Sequence, residues 1–142
     1  MNRPQAPIKQ GTKINSPQAP ISWGELFDKI TILQIKLKNL TAKTDLKNVE
    51  QELKKLQSIL TQNGPKTMET KQLESELRRI NQQLWDIEDK IRDKERANSF
   101  DDEFIQLARS VYITNDKRSR VKRIINDILG SKLVEEKSYA EY

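Results

Sequence analysis

The residues of this 142-residue chain best suited to chemistry are Tyr112, Asn115 and Arg118, three apart, together with the pair Trp85-Asp86. A guanidinium is a planar fork of donors that holds a carboxylate or phosphate, and aromatic rings stack on flat ligands. With an amide beside them, these groups fit a small anionic ligand such as a sugar nucleotide or a phosphate. The same residues have a structural reading. A buried Asn or ion pair inside a helical bundle fixes register and association state at some cost in stability. Asp86, Asp89 and Asp93 line one side of a helix and invite a metal. Carboxylate di-metal bundles, however, combine glutamates with Glu-x-x-His pairs, and the chain has no His. Asp86 with Lys90 and Glu88 with Arg92 are i,i+4 pairs suited to a solvated face. The absence of Cys excludes disulfides and thiol chemistry, and the absence of His removes the commonest general base. No nucleophile elbow, phosphate-binding glycine loop or dinucleotide fingerprint appears. These residues argue against an enzyme, a metal or a cofactor.

What must position them is helical. Leu73, Leu77, Ile80, Leu84, Ile87 and Ile91 are spaced 4-3-4-3-4, which draws a narrow apolar seam on a long helix over about 67–97. Ser99-x-x-Asp102 predicts the start of the next helix, which Gly130 ends. Its expected core positions are Phe104, Leu107, Ala108, Val111, Val121, Ile125, Ile128 and Leu129. Between Val111 and Val121 the inward stripe passes through Asn115 and Arg118, with Tyr112 and Asp116 alongside. Antiparallel pairing across Asn98–Ser99 sets Tyr112 level with Asp86, Asn115 with Gln83, and Arg118 near Ile80–Gln82. A polar belt should therefore cross an apolar seam, and buried polar groups must be paired. Trp85 lies off the seam, either as an aromatic platform or as a widening of the apolar stripe.

Two shorter helices precede this pair. Ser22 and Glu25 have capping-box spacing, and Ile21 and Leu26 that of a hydrophobic staple. The first helix should run over about 23–40, with Trp23, Leu26, Phe27, Ile30, Leu33, Leu37 and Leu40 on one broad face. Ile32 and Ile35 point the other way, so this helix belongs in the bundle interior or at a subunit contact. They are the expected self-association residues. The apolar register resumes at Leu46, Val49, Leu53, Leu56 and Leu60. The offset near 41–45 predicts a turn with Thr44 or Asp45 as the new N-cap, and Asn63-Gly64-Pro65 ends the second helix.

The net charge of +5 is concentrated at one end, since Arg3, Lys9 and Lys13 contribute three of it with no acid before Glu25. The nearly balanced remainder lacks the broad positive field that nucleic-acid binding uses. The basic run Lys117–Arg123 is a weaker RNA candidate, because its cations spread around the helix. Residues 1–21 read as a disordered Pro-rich tail in which Pro4-Gln5-Ala6-Pro7-Ile8 recurs as Pro17-Gln18-Ala19-Pro20-Ile21. That repeat is a partner motif or merely a solubilising tail. No apolar run approaches the ~20 residues a membrane span needs, and no signal-peptide core is present. The expected address is the cytoplasm.

Taken together, Ser22-Trp23-Gly24-Glu25-Leu26 through Ile35-Lys36, Leu84–Asp89, Val111-Tyr112 with Asn115–Arg118, and Glu135–Tyr139 resemble a known family. It comprises small, uncharacterised helical proteins of bacteria and their phages, some associated with glycosyltransferase-like or tetratricopeptide-repeat proteins. The resemblance covers residues 22–139 and implies no established activity. It directs attention to the polar and aromatic motif positions Trp23, Glu25, Asp28, Lys29, Trp85, Asp86, Glu88, Asp89, Tyr112, Asn115, Asp116, Arg118, Glu135, Glu136, Lys137 and Tyr139. The resulting expectation is an all-α, elongated antiparallel bundle of about four helices over 22–130, the last two forming a coiled-coil-like hairpin. The tail at 131–142 would fold back to close the polar belt. The expected role is a non-catalytic interaction or assembly module that self-associates or binds a partner protein. The alternatives are an anionic-ligand module centred on Arg118, Asn115, Tyr112, Trp85 and Asp86, and RNA association.

Overall fold

A computed structural model describes residues 14–64 and 67–142. The chain order is α1 (Trp23–Asn39), α2 (Lys43–Asn63), α3 (Met68–Arg96) and α4 (Asp102–Leu129), with no strand among the described residues. The first thirteen residues, including the first Pro-Gln-Ala-Pro-Ile copy, lie outside the described residues.

Each helix starts where a side chain supplies an acceptor, α2 excepted. Ser22 Oγ accepts from the Glu25 N–H at 3.1 Å, but the reciprocal half of a capping box is absent, because Glu25 reaches across to Lys122 instead. Thr67 and Thr70 form a full reciprocal box at the start of α3. The α2 N-cap is Ala42, with no side-chain cap, in place of Thr44 or Asp45. The register offset is absorbed in only three linking residues, 40–42, with Leu40 and Ala42 extended. Asp45 falls in the first turn of α2, where a carboxylate favours the helix dipole. The α4 N-cap is Asp101, not Ser99, its carboxylate accepting from the Phe104 N–H at 3.0 Å. Ser99 donates to that same carboxylate. Asn98 turns the chain between α3 and α4 at φ 50°, a left-handed conformation that Asn tolerates. Gly130 closes α4 at φ 63°.

The core is two clusters sharing α1. Leu26, Ile30 and Leu33 pack with Val49 and Leu53 of α2. Phe27, on the other side of α1, packs with Leu77 and Ile80 of α3 and Val121 and Ile125 of α4. The two apolar sides of α1 are thus explained by its central place, in contact with all three other helices.

The α3–α4 hairpin keeps the sequence seam, but only its lower half is sealed. At 1.5 Å per residue α3 and α4 are each about 42 Å long, against about 25 Å for α1. Phe27, Asp28, Thr31 and Gln34 all engage the short stretch Leu77–Asn81. The shorter helix lies along the lower part of the hairpin, its start against Asn126 and Ser131 of the α4 end and Asp28 against Arg118. Leu77 and Ile80 are buried, whereas Leu84, Ile87 and Ile91 are half-buried. Two expected core positions of α4, Ala108 and Ile128, are exposed because no third helix covers them. No helix among the described residues is long and apolar enough to cross a membrane.

Candidate functional site

The polar belt is organised by Asp28, a carboxylate only 1% exposed in the middle of the most apolar helix. Arg118 Nε donates to Asp28 Oδ1 at 2.8 Å, and Arg118 Nη2 donates to Oδ2. Asn81 Nδ2 donates to Asp28 Oδ1 and to Thr31 Oγ1, both at 2.9 Å. Thr31 Oγ1 in turn donates to the Asp28 carbonyl, and Arg118 Nη1 donates to Asn115 Oδ1 at 3.3 Å. Three helices are thereby tied through one charge. The bonded Asp28 carboxylate raises the already high Arg118 pKa, outweighing the opposite effect of burial.

A second lock joins the start of α1 to the end of α4. The Gly24 N–H donates to Asn126 Oδ1 at 2.7 Å and the Trp23 N–H to Ser131 Oγ at 2.8 Å. With Ser22 serving the Glu25 N–H, three donors left over at the helix start are satisfied. The backbones meet so closely that a Cβ on Gly24 would lie 2.5 Å from the Lys122 carbonyl oxygen. Lys122 Nζ donates to Glu25 and to Glu135, each at 2.9 Å. Burial opposes its charge, but the two carboxylates outweigh it and raise its pKa. Glu135 is held down to about 2 by hydrogen bonds from Lys137 and Lys122.

Residues 131–142 run back along α4. Besides Glu135, Glu136 accepts from Arg123 at 3.3 Å. Tyr142 donates to Asp116 at 2.6 Å, a bond that raises the phenol pKa, and its ring meets Tyr112 edge-on at 5.3 Å. The segment therefore covers Lys122 and reaches Tyr112, while Arg118 is covered by Asp28.

Where α1 leaves the hairpin, an open groove of about 580 Å³ remains. Ile32 and Ile35 of α1, Leu84 and Trp85 of α3, and Val111 and Tyr112 of α4 give it apolar walls. Asn81, Asn115 and Arg118 form its polar side, and Glu88, Asp89 and Arg92 complete the lining. Of the five residues expected around a ligand, Arg118, Asn115, Tyr112 and Trp85 come together here. Asp86 does not line the groove; it is exposed and accepts from Gln82 at 3.0 Å. Ile32 and Ile35 line the same groove, with Ile35 only 3% exposed. No cluster of three or more His, Cys, Asp or Glu suited to a metal occurs among the described residues. Sequence reasoning missed Asp28 as the partner of Arg118, and Asn81 and Thr31 as its other neighbours. A charged residue flanked by Phe27 and Ile30 on the broad apolar face was the available signal.

The described residues define an all-α protein of four helices whose interior charges are matched within the chain and whose groove between α1, α3 and α4 has apolar walls and one polar side. Residues 18–142 match a family of unknown function, DUF6165, and the chain belongs to that family. No curated protein and no solved structure matches it.

Proposed function

We propose that the protein is a non-catalytic interaction module that self-associates in the cytoplasm through the groove between α1, α3 and α4. One contrast carries this reading. The polar groups beside the groove are already bonded to one another, whereas Leu84, Trp85, Val111 and Tyr112 offer apolar surface with no helix over it. Ile35 is buried, so a second copy would reach Ile32 and Ile35 by inserting side chains between the groove walls, not across a flat helix face. Light scattering at tens of micromolar should report a dimer. Tyr112→Glu, at an exposed rim position, should give a folded monomer. A monomeric wild-type chain would end the self-association reading.

A second reading keeps the groove and changes its occupant to a small anionic ligand, in keeping with the resemblance to proteins associated with glycosyltransferases. What favours it is that Arg118 remains 26% exposed on the groove beside Asn115, Trp85 and Tyr112. What weighs against it is charge: Asp28 neutralises Arg118, and Glu88 and Asp89 line the groove. A thermal-shift series of nucleotides and sugar phosphates separates the two, since a bound ligand raises the melting temperature by linkage. Asn115→Ala is the better control, because Arg118→Ala disturbs the interior whether or not a ligand binds. RNA association has less support. Lys122 and Arg118 are held by buried or partly buried acids and Arg123 by Glu136, so much of the 117–123 charge is internally matched.

A further inference from the structure

We infer that the C-terminal segment, residues 131–142, is a strap that regulates the groove by clasping Tyr142 onto Tyr112, a ring of the groove's α4 wall. The inference rests on the groove reading above. Tyr112 faces two ways. It lines the groove with Val111 and Asn115, and its ring meets that of Tyr142 edge-on at 5.3 Å. Tyr142 and Asp116 line a separate crevice, together with Lys137 and Tyr139 of the segment. Tyr112 is therefore a shared wall, and whatever holds its ring on the segment side sets the shape on the groove side. The Tyr142 phenol is in turn held by Asp116 at 2.6 Å, one helical turn beyond Tyr112.

The strap is fastened unequally. At its base Glu135 accepts from Lys122, which is 8% exposed and is also bonded to Glu25 of α1. At its far end Tyr142 is 79% exposed. Water competes for the far contacts much more than for those at the base, so the clasp opens while the base stays closed. Chain length permits this. Lys122 and Asp116 lie about 9 Å apart along α4, whereas the stretch from Glu135 to Tyr142 reaches up to about 23 Å. The segment can lift Tyr142 clear without pulling on Lys122. Closed, it fixes the Tyr112 ring before a second copy arrives, and a wall fixed in advance lowers the ordering cost of association. Open, it returns that ring to its free rotamers and association weakens.

The test compares the full chain with two full-length variants. Tyr142→Ala removes both ring and hydrogen bond, and Tyr142→Phe keeps the ring. The position is exposed, so both should fold. In dilute protein, the aromatic NMR signals of Tyr112 and the methyl signals of Val111 should move in Tyr142→Ala and move less in Tyr142→Phe. Signals of Lys122 and Glu135 should stay in place, because the base remains fastened. Sedimentation equilibrium should show the dimer dissociation constant raised about 2- to 10-fold in Tyr142→Ala, the worth of one edge-to-face ring pair, and raised less in Tyr142→Phe. Unmoved Tyr112 and Val111 signals in Tyr142→Ala would overturn the inference. So would moved signals with an unchanged dimer constant, since the strap would then touch the wall without regulating it. A wild type that is monomeric at every concentration ends the self-association reading alone. The NMR comparison then decides by itself whether the strap sets the groove wall.

Discussion

Two lysines in this molecule each bridge two carboxylates. At the base of the hairpin Lys122 holds Glu25 and Glu135 at 2.9 Å. At its tip Lys94 holds Asp101 and Glu103 at 2.9 and 2.8 Å. The local geometry is nearly the same, and the surroundings are not. Lys122 is 8% exposed and ties α1, α4 and the C-terminal segment together, whereas Lys94 is 19% exposed and its carboxylates face water. Distance alone therefore does not rank an ion pair. What ranks it is how much water the pairing has replaced and how many elements it joins. The base of the molecule is fastened by matched charge and the tip is held mainly by its apolar seam.

The sharpest break of this comparison lies deeper than either lysine. Arg118→Ala strips the bidentate partner from a carboxylate that is almost wholly buried, and should cost about 3–5 kcal/mol. Asp28→Asn leaves the cation instead, on a side chain with some access to water, and should cost less, about 1–3 kcal/mol. Urea unfolding with unchanged m-values checks both. Equal losses would mean that the pair acts only as a packing unit.

Gly24→Ala comes next. Alanine is the better helix former by about 1 kcal/mol, but the new methyl would press on the Lys122 carbonyl. Backbone cannot yield as a flexible side chain does, so α1 must lift off α4 and lose the Asn126 bond. A net loss of about 1–3 kcal/mol is expected. Stabilisation would show that the helices have slack at this crossing.

Much of this architecture was legible. The 4-3 spacing on α3, Gly130 and the misfit of Asn115 and Arg118 in the α4 stripe all follow from period and propensity. Those are local properties, carried by neighbouring residues. What was not legible depends on which distant residue faces which. Asp28 and Arg118 are ninety positions apart, and nothing in local spacing pairs them. Nor could spacing show which stretch of the hairpin α1 covers. That placement buries Ile35 inside the chain and leaves Ile128 exposed. The capping differences have a simpler origin. Ser99 and Asp101 compete for one helix start, and the carboxylate is the stronger acceptor for an N–H at a positive helix end.

Acid should distinguish the two lysine hubs more finely. Glu135 is depressed to about 2 from an ordinary 4.5. A depressed carboxyl stabilises the fold above its unfolded value, and that contribution is lost as pH falls from about 4.5 toward 2. The C-terminal segment should therefore loosen from α4 in that window, visible as loss of the Tyr112–Tyr142 ring contact by NMR. Lys122→Met should move the Glu135 carboxyl titration upward, though not fully to 4.5, because Lys137 also holds it. A Glu135 titration near its ordinary value in the wild type would show that this segment is not fastened there.

The smallest expected effect belongs to the tip. Asp101 is also depressed to about 2, by Lys94 and by the Phe104 N–H, so pKa alone makes the tip look as firmly bonded as the base. Solvent screens it. Lys94→Met should leave the melting temperature essentially unchanged, while Lys122→Met should lower it, because only the latter strands two carboxylates beside a buried helix crossing. Asp101→Ala should matter more than Lys94→Met, since it also removes the cap of α4. If Lys94→Met lowered the melting temperature as much as Lys122→Met, burial would not be what separates the two ends, and the polar fastening at the base would lose its special standing.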